Sequence, residues 1–362
     1  MRMFGVLVVL WAGACTSSTS GSSGGTSSSS GGATSQSMPD ASSSAALGSS
    51  LGASAGASSG SGGSSSGVVA GRVLFHTAVN GFQWVAAGAG AIPIALDSRF
   101  DAVSPGADEK MGVSANGTWA VVDTTRFGCD AQACLARMRM DGLGGTKIAA
   151  GGMDQHVYAT HPAISDNGGT VVFTQQNQAS SGVDLVVTRL TAGVWSAPAV
   201  ITSGSPRLFH RFPVLSPDGA TAWCDCGPDA DEARGNSICR VPTSGSGVEV
   251  VLTPADIPGG INLHHAWPAT DGSLVFEGEG SGGEQLWRRS AAGGAPVVIA
   301  AAYSNDNSPC VLPDGRVASL WLGRPGNATG GHELKITDDT GGALTMVVTG
   351  VDITDLGLFC AR

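Results

Sequence analysis

Five side chains in the sequence have the types and positions to bind a divalent metal. Counting back three residues from Pro213, Pro268 and Pro309 lands on His210, His265 and Asp306, and His161 and His264 stand close to the same level in their own segments. Imidazole nitrogens with a carboxylate oxygen form a ligand set that suits Mn, Fe or Zn. The competing reading is a hydrated polar rim on which histidine is tolerated. Other catalytic signatures are missing: there is no Gly-x-Ser-x-Gly elbow outside the Ser/Gly-rich N-terminal stretch, no Walker loop, and no second histidine after His332-Glu333. The run from Gly278 to Gly283 has dinucleotide-loop spacing but joins two strand-like segments, so it reads as a hairpin turn. Asp225, Asp229, Asp231 and Glu232 lack calcium-loop spacing and read as a solvated acidic loop.

Those five residues meet only if the elements carrying them are arranged around a common axis, and a repeat supplies that arrangement. One pattern recurs five times: residues 110–117, 161–168, 212–219, 267–272 and 308–315 each end in Asn-Gly or Asp-Gly. The closing glycines are spaced 51, 51, 53 and 43 residues apart, and a short alternating apolar run follows each. Asn-Gly or Asp-Gly between apolar runs predicts a hairpin with a type I′ turn, in which both central residues take positive φ. A third and a fourth apolar run complete each unit. Four short strands in about 50 residues, stacked without helices, predict an all-β fold, a β-propeller of about six blades. The starts of the inner strands would then ring one mouth of the central channel, which is where the five candidate ligands fall.

Ser216-Pro217-Asp218-Gly219, preceded by Phe212-Pro213 and followed by a strand, resembles the repeat of TolB-type propellers, the WD40-like PD40 family. The resemblance covers residues 68–362 and implies six blades. It also includes TolB-like oligogalacturonate lyases, which hold a divalent metal with histidines at this rim. The N-terminal unit lacks its first strand, while residues 353–360 form an extra strand at the C-terminus. The expectation is that this last segment supplies the inner strand of the first blade and closes the ring.

Residues 1–14 have one basic residue, a short apolar stretch and a small-residue end, the layout of a signal peptide. Cys15 directly after Ala12-Gly13-Ala14 resembles the lipobox of bacterial lipoproteins, which implies lipidation of Cys15. Thr16, where inner-membrane lipoproteins tend to have aspartate, implies the outer membrane, facing the periplasm or the cell surface. Residues 15–67 are largely Ser and Gly and are expected to be a disordered tether. An exported chain is free to oxidise its other seven cysteines. The expected bridges are Cys129–Cys134 and Cys226–Cys239, each stapling a hairpin loop, and Cys310–Cys360 at the closure point. Cys224 is left as a buried thiol.

With 19 basic against 29 acidic residues and a net charge of −10, the composition argues against a nucleic-acid partner. The leading expectation is a monomeric, lipid-anchored binding or scaffold module for a protein or glycan partner. The alternative is a metal-dependent, polysaccharide-active enzyme at the channel mouth.

Overall fold

The computed structural model describes residues 71–361, apart from 78–79, 103, 105, 107, 130–133, 149–159, 178–181, 229–234, 282, 300–305, 322–331 and 339–343. The leader, Cys15 and the tether lie outside the described residues, as do Asp229, Asp231 and Glu232. Followed through their antiparallel pairs, the described residues make six sets of four strands. Unit 2 comprises Asp108–Val113, Trp119–Thr124, Cys134–Arg139 and Thr146–Lys147. Unit 3 comprises Thr160–Ile164, Thr170–Gln176, Val183–Thr191 and Ala199–Val200. Unit 4 comprises Phe209–Leu215, Thr221–Gly227, Ser237–Pro242 and Glu249–Leu252. Unit 5 comprises Asn262–Pro268, Leu274–Gly280, Gly283–Arg289 and Val297–Val298, and its hairpin contains the Gly278–Gly283 run.

Units 6 and 1 share a strand. Leu344–Ala361 pairs through its first half with His332–Thr337, completing unit 6 after Asp306–Val311 and Val317–Trp321. Its last part pairs with Arg72–Thr77, Val73 standing opposite Cys360, and so becomes the first strand of unit 1 ahead of Gly81–Ala86 and Ile94–Ala95. The C-terminal closure expected from the sequence is therefore present, and the Cys310–Cys360 disulfide locks it. Cys129–Cys134 and Cys226–Cys239 are bridged as well.

Each sheet buries both faces, which explains the near-continuous apolar runs. Ala120 and Val122 pack toward unit 1, while Val121 between them packs toward unit 3, as the two-residue period of a strand requires. Similar clusters fill the spaces between units 3 and 4 and between units 4 and 5, and one continuous cluster joins units 5, 6 and 1. A short α-helix, Asp97–Asp101, which the sequence reading did not anticipate, links units 1 and 2. Arg126, almost fully buried, ties this link down by bonding Asp108, Asp101 and the Ser104 carbonyl.

The repeated turn departs from the expected type I′ geometry. Gly117, Gly168 and Gly219 have φ of 67°, 67° and 72°, whereas Asn116, Asn167 and Asp218 are not in the positive-φ region. The preceding serine explains why. Ser114 Oγ donates to Asn116 Oδ1 at 2.8 Å and accepts from the Trp119 amide at 3.0 Å, and Ser165 and Ser216 do the same in their units. That serine-to-carboxamide or carboxylate bond holds a four-residue turn whose last residue alone is left-handed, a position glycine occupies without steric cost.

Candidate functional site

The first strands of all six units surround one space. It is lined by Lys110 of unit 2, His161 of unit 3, Phe212 of unit 4, His265 of unit 5, Ser308 of unit 6 and Phe359 of unit 1. In four units the first strand carries a β-bulge at this level, interrupting the register between Thr160 and Ala163, Arg211 and Val214, His264 and Trp267, and Asn307 and Cys310. The leading bulge residues have positive φ: His161 50°, Phe212 52°, His265 51° and Ser308 49°. Left-handed backbone is costly for bulky residues and clusters at functional positions. Here the bulges aim one side chain per unit into the channel.

Three of these side chains form a stack. The His161 and Phe212 rings meet edge to face with centroids 4.4 Å apart, and Phe212 meets His265 in the same way at 4.4 Å. Edge-to-face pairs at this separation are attractive beyond their burial. The space left beside the stack is about 40 Å³, room for two or three waters. A second space of about 260 Å³ begins at Val214 and Trp267 and runs toward the turns at Ser216 and Thr270. Both fall below the 300–1,000 Å³ typical of small-molecule pockets. An open groove of about 620 Å³ lies between units 4 and 5. Arg240 pairs with Glu249, and Arg289 donates to the Val251 carbonyl.

Buried carboxylates brace the ring from the second strands. Asp225 Oδ1 accepts the His265 amide at 2.9 Å and its other oxygen accepts His264 Nδ1 at 3.3 Å. One unit on, Glu277 Oε2 accepts the Ser308 amide at 3.1 Å and His265 Nδ1 at 3.0 Å. Each carboxylate thus reaches from its own sheet to the bulge of the next. Asp225, which the sequence placed in a solvated loop, is fully buried within Thr221–Gly227.

The four metal-ligand candidates whose side chains are described are not brought together as one set. His210 is buried away from the channel stack, with Nδ1 3.2 Å from the Val183 carbonyl and Nε2 3.2 Å from Ser205 Oγ, so both ring nitrogens are occupied. Phe212 stands between His161 and His265. His264 and His265 are neighbours, with centroids 6.1 Å apart, but each is turned to its own carboxylate. Asp306 opens the first strand of unit 6 opposite Trp321, and its side chain lies outside the described residues. Among the described residues no three His, Cys, Asp or Glu side chains form a metal-binding group. The divergence comes from counting back from proline, because the proline of unit 5 sits two residues later than that of unit 4. Counting back seven from the turn glycine selects Lys110, His161, Phe212, His265 and Ser308, the residues that share a level. Phe212, Lys110 and Ser308 were missed for that reason.

Burial, together with the charges of Lys110, Arg211 and His265, lowers the His161 pKa to about 3. His76 and His210 are also lowered, chiefly by burial. His161 stays neutral in the folded protein over the range in which the unfolded chain takes up a proton, so its contribution to stability falls with acidification from about pH 6.5 toward about pH 3, by about 1.4 kcal/mol per pH unit. His264 has the opposite sign. Burial alone would lower its pKa, but the hydrogen bond and charge of Asp225, with the charge of Glu277, raise it. Its contribution is fully present below about pH 6.5 and is lost as pH rises through its folded value. We expect His161→Phe, which keeps the ring stack, to melt with a shallower loss between pH 6.5 and 4 than the wild type. Parallel melting-temperature curves would show that His161 titrates as it does in the unfolded chain.

The six-unit ring and its shared channel define a β-propeller. Its fold is similar to that of a putative TolB from Agrobacterium tumefaciens, with TM-score 0.53 and 16% identity over 81% of this chain and 96% of that one. It is also similar to a chain of a nidogen/laminin complex, with TM-score 0.54 and 9% identity over 81% and 98% of the two chains. A Mycobacterium tuberculosis puromycin-hydrolyzing peptidase matches with TM-score 0.50 and 16% identity over 78% of this chain, which spans only 43% of the peptidase. Identities this low speak to fold alone, and the fold is that of a TolB-like propeller. No protein-family profile and no curated protein sequence matches the chain.

Proposed function

We propose that the protein is an exported, lipid-anchored binding module of the bacterial envelope that reads a protein or glycan partner with its channel mouth. The bulge ring carries this reading. The space beside it is about 40 Å³, too little for an organic substrate, and it holds aromatic rings and the cation Lys110 on paired strands. A surface of that kind suits contact with a macromolecule better than engulfment of a small molecule. Three disulfides favour an oxidising compartment, and the sequence around Cys15 favours a lipid anchor in the outer membrane.

Two measurements separate this reading from its rivals. Cys15→Ser should move the protein from the membrane to the soluble envelope fraction, and unchanged fractionation would refute lipidation. The purified protein should leave acidic oligosaccharides intact with or without added Mn²⁺. Metal-dependent turnover that disappears in His265→Ala would establish the enzyme instead.

A further inference from the structure

Three cysteines stand on one face of unit 4. The register sets Cys224 directly opposite Cys239 and Cys226 opposite Ser237. The two-residue period of the strand turns Cys224 and Cys226 to the same side. All three are fully buried in the cluster between units 3 and 4. The bridge joins Cys226 to Cys239 along the diagonal, with Cα atoms 5.8 Å apart, and Cys224 keeps its thiol. Directly opposed residues in an antiparallel ladder have Cα atoms about 4.5–5.5 Å apart. That lies inside the roughly 4.4–6.8 Å span of a disulfide. Cys239 therefore has two partners at bonding distance and can hold only one.

We propose that unit 4 contains a disulfide relay with two isomers, Cys226–Cys239 and Cys224–Cys239, that interconvert by exchange inside the hairpin. The Cys224 thiolate attacks Sγ of Cys239, and the bond from Cys239 to Cys226 breaks as the new one forms. Cys226 leaves as a thiolate and takes up the proton that Cys224 lost. One thiol and one disulfide are present before and after, so no oxidant or reductant is consumed.

The two isomers differ in what they restrain. Cys226 stands next to last in the second strand, Thr221–Gly227, beside Asp225, which holds the His265 amide and His264. The Cys226–Cys239 bridge clamps that end of the strand pair. The Cys224–Cys239 bridge sits two residues deeper in the sheet and releases it. Burial and the charge of Asp225 keep the Cys224 thiol well above its usual pKa, so the attacking thiolate is scarce while the sheet is packed. Exchange then belongs to folding and to local opening of the hairpin.

Peptide mapping of the full-length protein under non-reducing conditions tests the relay. Cleavage on the amino side of aspartate cuts between Cys224 and Asp225, so the isomers yield different cross-linked peptides. Cys226→Ser, produced in an oxidising compartment, should contain a Cys224–Cys239 bridge, and Cys224→Ser should retain Cys226–Cys239. A folded Cys226→Ser protein in which Cys224 and Cys239 are both open to alkylation would overturn the proposal. If that variant does not fold, the wild type decides. Held in mildly alkaline, sub-denaturing urea, it should yield the two bridged peptides within about tenfold of each other, a gap of about 1.4 kcal/mol. Retention of Cys226–Cys239 alone, under conditions where Cys224 becomes open to alkylation, would rule the relay out.

Discussion

Removing residues 353–362 should abolish the cooperative fold. The deletion takes away the first strand of unit 1, exposes the pairing edge of Arg72–Thr77, and removes Cys360 from its bridge to Cys310. It also strips Ile353, Leu358 and Cys360 from the largest apolar cluster, the one that joins units 5, 6 and 1. Among the described residues no other strand pairs with that edge, and Gly81–Ala86 already occupies the far side of Arg72–Thr77. The expected result is a broad, non-cooperative thermal transition. Cys360→Ser alone separates the contributions. It opens a bridge across 50 residues, and the chain-entropy relation assigns such a loop about 4 kcal/mol, with strand pairing retained. A deleted protein that melts sharply within a few degrees of the wild type would mean that the ring does not depend on its C-terminal strand.

Asp225→Ala should destabilise the domain by about 2–6 kcal/mol, about 1–3 kcal/mol for each of two buried donors left without its acceptor. Two groups lose their acceptor together, the His265 amide at 2.9 Å and His264 Nδ1 at 3.3 Å. Both lie at the interface of units 4 and 5, where the bulge places the His265 ring against Phe212. Asp225→Asn keeps an acceptor for the amide and forfeits the charge, so its cost should be smaller, about 1–3 kcal/mol. Denaturant unfolding of the two variants gives the order directly. An alanine variant within 1 kcal/mol of the wild type would remove the carboxylate from the set of groups that hold the ring.

The fold was legible because its signals are local and repeated. Gly117, Gly168 and Gly219 mark turns that only a left-handed residue closes without strain, and the alternating runs after them have a strand's period. Residues 353–360 were readable as the missing strand because the first unit visibly starts one strand late. The three disulfides followed from which loops and strands the cysteines occupy. The site was harder. A bulge inserts one residue into a strand, and nothing in His264-His265-Ala266-Trp267 says which of the four is inserted. Proline is a poor ruler there, because Trp267-Pro268 in unit 5 lies two residues closer to its turn glycine than Phe212-Pro213 does in unit 4. Asp225 was misread for a related reason. Its acidic neighbours Asp229, Asp231 and Glu232 made it look like loop, whereas its alternation with Cys224 and Cys226 belongs to a strand.

The central claim is that the bulge ring closes the channel and that the mouth above it is the recognition face. Site-specific photo-crosslinking in living cells tests it most directly. A photo-reactive residue in place of Lys110, which lines the space at the ring, should capture a discrete partner. The same residue in place of Val194, exposed in the outer hairpin of unit 3, should capture none. Equal capture from both positions, or capture from Val194 alone, would contradict the account.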